Sequence, residues 1–89
     1  MPPPYDLLER MRRSKGGWRP IDLERLYLGF GFQLKEGGKH RLYFHSRDRS
    51  LMATVRRADP LPTGYVVQAV RLVDVLIEME ESDARSKDV

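Results

Sequence analysis

Apolar residues recur along this chain with two periods, and the change of period marks its elements. In "YDLLERMRRS", Tyr5, Leu8 and Met11 fall in helical register, and the cations sit at the C-terminal end, where the helix dipole favours them. "SKGGWRP" breaks that pattern with a permissive Gly16–Gly17 and an arginine before a proline. A second helix is predicted through "IDLERLYLGF" on Ile21, Leu23, Leu26, Tyr27 and Phe30, with Gly29 or Gly31 to stop it. The period then drops to two. "FQLKE" sets Phe32, Leu34 and Glu36 against Gln33 and Lys35, and Gly37–Gly38 signals a hairpin. "HRLYFHS" puts Leu42 and Phe44 on one face and Arg41, Tyr43 and His45 on the other. "SRDRS" turns into "LMATVRR", with Leu51, Ala53 and Val55 on one face, and "ADPLPTG" is a loop.

The last segment, "YVVQAVRLVDVLIEMEE", is rich in valine, which favours strands. Its period decides for a helix. Val66, Val70, Val73 and Ile77 recur at three and four, Val67 and Leu76 widen the stripe, and Arg71, Asp74 and Glu78 oppose it. Thr63 is placed to cap its start, and "SDARSKDV" reads as a frayed tail. The predicted order is α-α-β-β-β-α. That is an α+β fold, a two-layer sandwich whose three-stranded antiparallel sheet is packed by helices.

Length and composition narrow this further. Eighty-nine residues hold one modest core, and 40% apolar with 33% charged residues describes a folded chain. The net charge of +3 is unevenly spread. Lys35, Lys39, Arg41, Arg47, Arg49, Arg56 and Arg57 crowd the centre, while the stretch beyond Leu76 is mostly acidic. A basic centre suggests an anionic partner. With no cysteine there is no disulfide or thiolate site, and no apolar run reaches the ~20 residues a membrane span needs. The start lacks a signal-peptide core, so a cytoplasmic protein is expected.

The chemistry gathers in "EGGKHRLYFHS", which holds both histidines. His40 follows the double glycine at the start of a strand, and an imidazole is suited to moving protons near neutrality. Lys39 and Arg41 flank it and could hold a phosphate. RNA carries its own nucleophile, the 2′-hydroxyl, so a base with phosphate-stabilising cations suffices in principle to cleave it. His45 is an odd number of residues away and faces oppositely in a regular strand. Each feature also has a plain structural reading. His40 can be a solvated side chain, the cations a solvated face, Tyr43 and Phe44 sheet packing, and Trp18 an anchor between the first two helices. No metal-ligand spacing, phosphate-binding loop, nucleophile elbow or carboxylate dyad is present. No cofactor is expected.

The segment "LERLYLGFGFQLKEGGKHRLYFH" resembles the N-terminal half of HicA toxins, the YcfA-like family. In that family a helix ending in Gly-Phe leads into a strand, a Gly-Ser-His-His motif and an alternating strand. Gly31 and Phe32 match the Gly-Phe, Gly38 the motif glycine, and His40 the first motif histidine. Tyr43 or Phe44 matches the aromatic, and His45 the trailing histidine. Flanking segments are similar to a longer branch with an extra N-terminal helix and a final helix opened by Tyr65, Val67 and Gln68. The resemblance runs from Leu7 to Glu80, with Lys39 and Arg41 standing where the family has Ser/Thr and a second histidine.

The resemblance implies a double-stranded-RNA-binding-like fold and metal-independent cleavage of mRNA, with His40 as the catalytic residue. It also implies a HicB-like antitoxin as partner. Lys35, Lys39, Arg41, Tyr43, His45, Arg56 and Arg57 are the expected RNA contacts. The domain is expected over 20–80, after an N-terminal extension with a short helix over 1–19 and before a flexible tail over 81–89. Two other functions stay open on the residues alone. One is an RNA-binding module without chemistry. The other is an interaction protein docking a partner on its sheet or on the Val67–Leu76 edge of the final helix.

Overall fold

The computed structural model describes residues 3–87, so the first two residues and the last two of the expected tail lie outside it. The order is α1 (Tyr5–Arg13), α2 (Pro20–Gly29), β1 (Gln33–Glu36), β2 (His40–His45), β3 (Asp48–Arg56) and α3 (Thr63–Lys87), as the sequence predicts. The strands form an antiparallel sheet in the order β1-β2-β3. The buried strand residues share one core with residues of all three helices, so the helices cover one face and leave the other open.

The second helix is cut at both ends where local chemistry dictates. Pro20 opens α2 with a ring already set to helical φ, and the Asp22 carboxylate accepts the Arg19 N–H at 2.9 Å. At the other end Gly31 takes φ +91°, its N–H donates to Leu28 O, and the Phe32 N–H donates to Tyr27 O. That is a Schellman stop, and its usual hydrophobic contact is the Phe32 ring against Tyr27 at 4.9 Å. The helix end therefore delivers Phe32 straight into the core at the start of the sheet. Gly29 is needed for closeness instead, since a Cβ there would lie 2.4 Å from Pro4 Cδ.

Several expectations about the helices shift. α1, in the N-terminal extension, packs into the common core. Its Leu8 and Met11 are fully buried in the common core, while Tyr5 stays exposed with its ring edge on Phe30. Trp18 anchors the end of α1 to the loop before α3. Its indole donates to Ser14 O at 2.8 Å, Arg10 lies over its ring, and its carbonyl accepts the Leu61 N–H. In α3 the fully buried residues are Val66, Ala69, Val73 and Leu76; Val70 and Ile77 are half-buried and Val67 is exposed. The stripe is thus rotated from the valine pattern, and no apolar edge pairs Val67 with Leu76. The tail over 81–87 is helical. No glycine or proline stops it, Arg85 pairs with Glu81 one turn back, and Arg47 in the β2–β3 turn binds both Asp83 and the Met79 carbonyl.

The largest correction concerns β2. Tyr43 is 1% exposed and stacks on Tyr27 with centroids 4.5 Å apart, while Leu42 and Phe44 face away from the core. The cause is register. His45 pairs with Asp48 across the turn, and extending that pairing evenly would set Leu42 against Leu51 on the buried face. A shift between Phe44 and His45 instead pairs Phe44 with Met52, Tyr43 with Ala53 and Leu42 with Thr54. An odd shift exchanges the faces. Since Leu51, Ala53 and Val55 point inward, Tyr43 points inward too, and the small Ala53 opposite makes room for its ring.

Candidate nucleic-acid interface

The open face follows from that register. It carries Gln33 and Lys35 from β1, His40, Leu42 and Phe44 from β2, and Met52, Thr54 and Arg56 from β3. His40 is exposed at the end of β2, directly across from Arg56. Cβ atoms of such partners lie about 4.5–5.5 Å apart, so imidazole and guanidinium can hold one group between them. The hairpin that presents His40 closes through Gly37 N–H to His40 O at 2.9 Å. The tight pair is thus Gly38–Lys39, one residue later than the double glycine suggests, and it exposes Lys39 beside the histidine. Along the same face lies a shallow cavity of about 410 Å³ bordered by Lys35, Leu42, Phe44 and Met52, with His45 and Asp48 at its turn end, wide enough for a planar ring.

The expected contact residues divide into two groups. Lys35, Lys39 and Arg56 are exposed and have no carboxylate partner among the described residues, so their charge is available to an incoming anion. Arg41 and Arg57 are engaged. Arg41 lies on the covered side and reaches Glu24 at 3.2 Å and Glu36 at 3.1 Å, while Arg57 reaches Glu36 at 2.7 Å and the Gly37 carbonyl. These pairs form a chain that ties α2 to the hairpin. A hydrogen bond to Tyr43, aided by the two carboxylates, pushes the Arg41 pKa above its ordinary value, and burial pushes that of Tyr43 up.

Tyr43 also leaves the contact set, while His45 borders the cavity on the open face. A ring sealed against Tyr27 has no surface to offer a base. His45 is half-buried, edge-on to Phe32 at 5.1 Å, and its Nδ1 accepts the Arg47 N–H at 3.1 Å, closing the β2–β3 turn. A Cβ on Gly31 would stand 3.1 Å from its Nε2, so this imidazole is wedged against the helix stop. The two histidines thus lie at opposite ends of β2, His40 across from Arg56 and His45 at the turn.

Sequence reasoning missed Leu42, Phe44 and Met52 as surface residues of this face. A strand pattern gives the alternation but not its sign, and only the shifted register supplies the sign. Among the described residues no group of three His, Cys, Asp or Glu gathers at a metal-holding distance, and no helix is long and apolar enough to cross a membrane. No protein-family model, curated protein or solved structure matches this chain.

Proposed function

We propose that this chain is an mRNA-cleaving endoribonuclease toxin of the HicA kind, with a double-stranded-RNA-binding-like fold and a HicB-like protein as its neutralising partner. The observation that carries the reading is the placement of His40. Its imidazole is exposed on the open sheet face, with Arg56 opposite and Lys39 adjacent. In that reading His40 takes the proton of a ribose 2′-hydroxyl, and the oxygen attacks the neighbouring phosphorus. The bond to the 5′-oxygen breaks, that oxygen takes a proton from solvent water, and a cyclic phosphate remains. Arg56 and Lys39 stabilise the charge that builds on the phosphoryl oxygens. An mRNA substrate places the work in the cytoplasm.

The test is cleavage of a labelled RNA by the purified chain in the presence of a chelator. Fragments ending in a cyclic phosphate are expected, and His40→Ala should slow their release by about 10²–10⁴-fold. Because His40 is exposed, the variant should unfold at the wild-type temperature. RNA left intact by the wild-type chain sinks the proposal.

A second reading, RNA binding without chemistry, draws on Arg41. It occupies the place of the family's second histidine, yet it is turned to the covered side and held by Glu24 and Glu36. The open face then has a single imidazole. Salt-sensitive RNA affinity without fragments would favour this reading.

A further inference from the structure

A second cavity lies beside the His40 face. It is an open groove of about 810 Å³ between the end of β3 and the first turns of α3. Its walls combine two kinds of surface. Tyr65, Val67 and Leu72 give an apolar side, while Arg56, Arg71 and Gln68 supply donors. Val67 is 42% exposed here, and Arg71 has no carboxylate partner among the described residues. Arg56 belongs to both places, since it lines the groove and is the cross-strand partner of His40.

From this we infer that the groove is a nucleotide subsite for single-stranded RNA, in which Tyr65 and Val67 receive a base and Arg71 takes the phosphate next to the one held by Arg56 and His40. The inference deepens the ribonuclease reading and rests on it for the identity of the strand. Three features select this occupant. The volume suits a nucleotide-sized ligand rather than a protein surface. Exposed cations beside an aromatic and an aliphatic wall match a ligand that alternates anions with flat rings. The shared Arg56 makes groove and histidine one continuous track. An acidic peptide would satisfy the cations but leave the apolar wall without a ring to cover it.

The experiment measures binding apart from chemistry. A 2′-O-methyl oligoribonucleotide lacks the nucleophile and cannot be cut, so its affinity for the intact chain is read by fluorescence anisotropy over a range of salt. Arg71→Gln should weaken binding several-fold and flatten the slope of log affinity against log salt by about 0.7, one phosphate's share. Arg71→Glu should weaken it further. Tyr65→Leu should cost about tenfold with the salt slope unchanged. Arg71 is exposed, so its variants test the groove without disturbing the core.

If the oligonucleotide fails to bind, or binds Arg71→Gln and Arg71→Glu with wild-type affinity and slope, the subsite is overturned, even if the wild-type chain cleaves RNA. If binding depends on Arg71 and Tyr65 while the wild-type chain leaves unmodified RNA intact, the subsite stands and the nuclease reading falls. A poly-glutamate peptide that binds as tightly, with the same loss in Tyr65→Leu, also overturns it.

Discussion

The two faces of the sheet are built from the same three strands but do opposite work. The covered face holds Phe32, Tyr43, Leu51, Ala53 and Val55, all nearly inaccessible, and Arg41 with its two carboxylates at the rim. The open face holds comparable apolar bulk in Leu42, Phe44 and Met52, yet leaves it at the surface beside His40, Lys35 and Arg56. The contrast within β2 is instructive. A tyrosine and an arginine face the helices, while a leucine and a phenylalanine lie half-buried on the open side. Tyr43 fits because its ring stacks on Tyr27 and its hydroxyl meets Arg41, so a polar tip is paired where it is buried. Surface left apolar at such cost in hydration suggests use, and a flat ring is the natural partner for Phe44 and Met52.

The largest effects should separate these faces. Tyr43→Ala removes a fully buried ring from the Tyr27 stack and should destabilise the chain by about 3–5 kcal/mol in urea titrations. Phe44→Ala, one residue away, should cost about 1 kcal/mol or less, because the ring is half-exposed. RNA affinity should respond in the opposite sense, with Phe44→Ala weakening it by about 1–3 kcal/mol if bases stack on that ring. Equal losses of stability from the two variants would mean that the face assignment is reversed.

The sequence made the element order legible because each element carries its own period and its own stop. The Gly31 stop, the proline at the start of α2 and the three-to-four spacing in α3 are local signals, decided within a few residues. What it hid was set by relations between elements. The facing of β2 depended on a register shift beside a turn, and no spacing inside "HRLYFHS" records that shift. The same holds for the site. His40 and its place after the double glycine were readable, but the division of the arginines was not. Whether a guanidinium is free depends on Glu24 and Glu36, which approach from another helix and another strand.

That division is the next place to press the comparison. Arg41→Gln leaves Glu24 partly buried without its cation. Since the Arg41 and Glu24 side chains are 26% and 23% exposed, solvent screens some of the loss, and a destabilisation of about 1–2 kcal/mol is expected. Its effect on the salt dependence of RNA binding should be small. Arg56→Gln should behave the other way round, with stability unchanged within about 0.5 kcal/mol and a flatter salt slope. A salt slope altered by Arg41→Gln and not by Arg56→Gln would move the binding surface to the covered side.

The effect smallest near pH 7, and the most specific, concerns Tyr27. Its hydroxyl is buried without a hydrogen-bond partner among the described residues, and burial, with the neighbouring Tyr43 hydroxyl, drives its pKa far above the ordinary value near 10. Up to about pH 10 both folded and unfolded chains keep that proton, and the group leaves stability independent of pH. Above it the unfolded chain ionises while the folded chain does not, so the unfolded state gains and stability falls as pH rises. Each further pH unit costs about 1.4 kcal/mol until the folded hydroxyl itself ionises. Tyr27→Phe removes both the unpaired hydroxyl and this titration. Near pH 7 it should leave stability unchanged or raise it by about 1 kcal/mol, and near pH 11 the gain should be larger. Tyr43→Phe should instead cost about 1 kcal/mol near pH 7, because Arg41 loses its acceptor there. Urea titrations at the two pH values decide it: a Tyr27→Phe chain less stable than wild type near pH 11 would show that the hydroxyl is paired or reaches water, and that the stack is less closed than its geometry indicates.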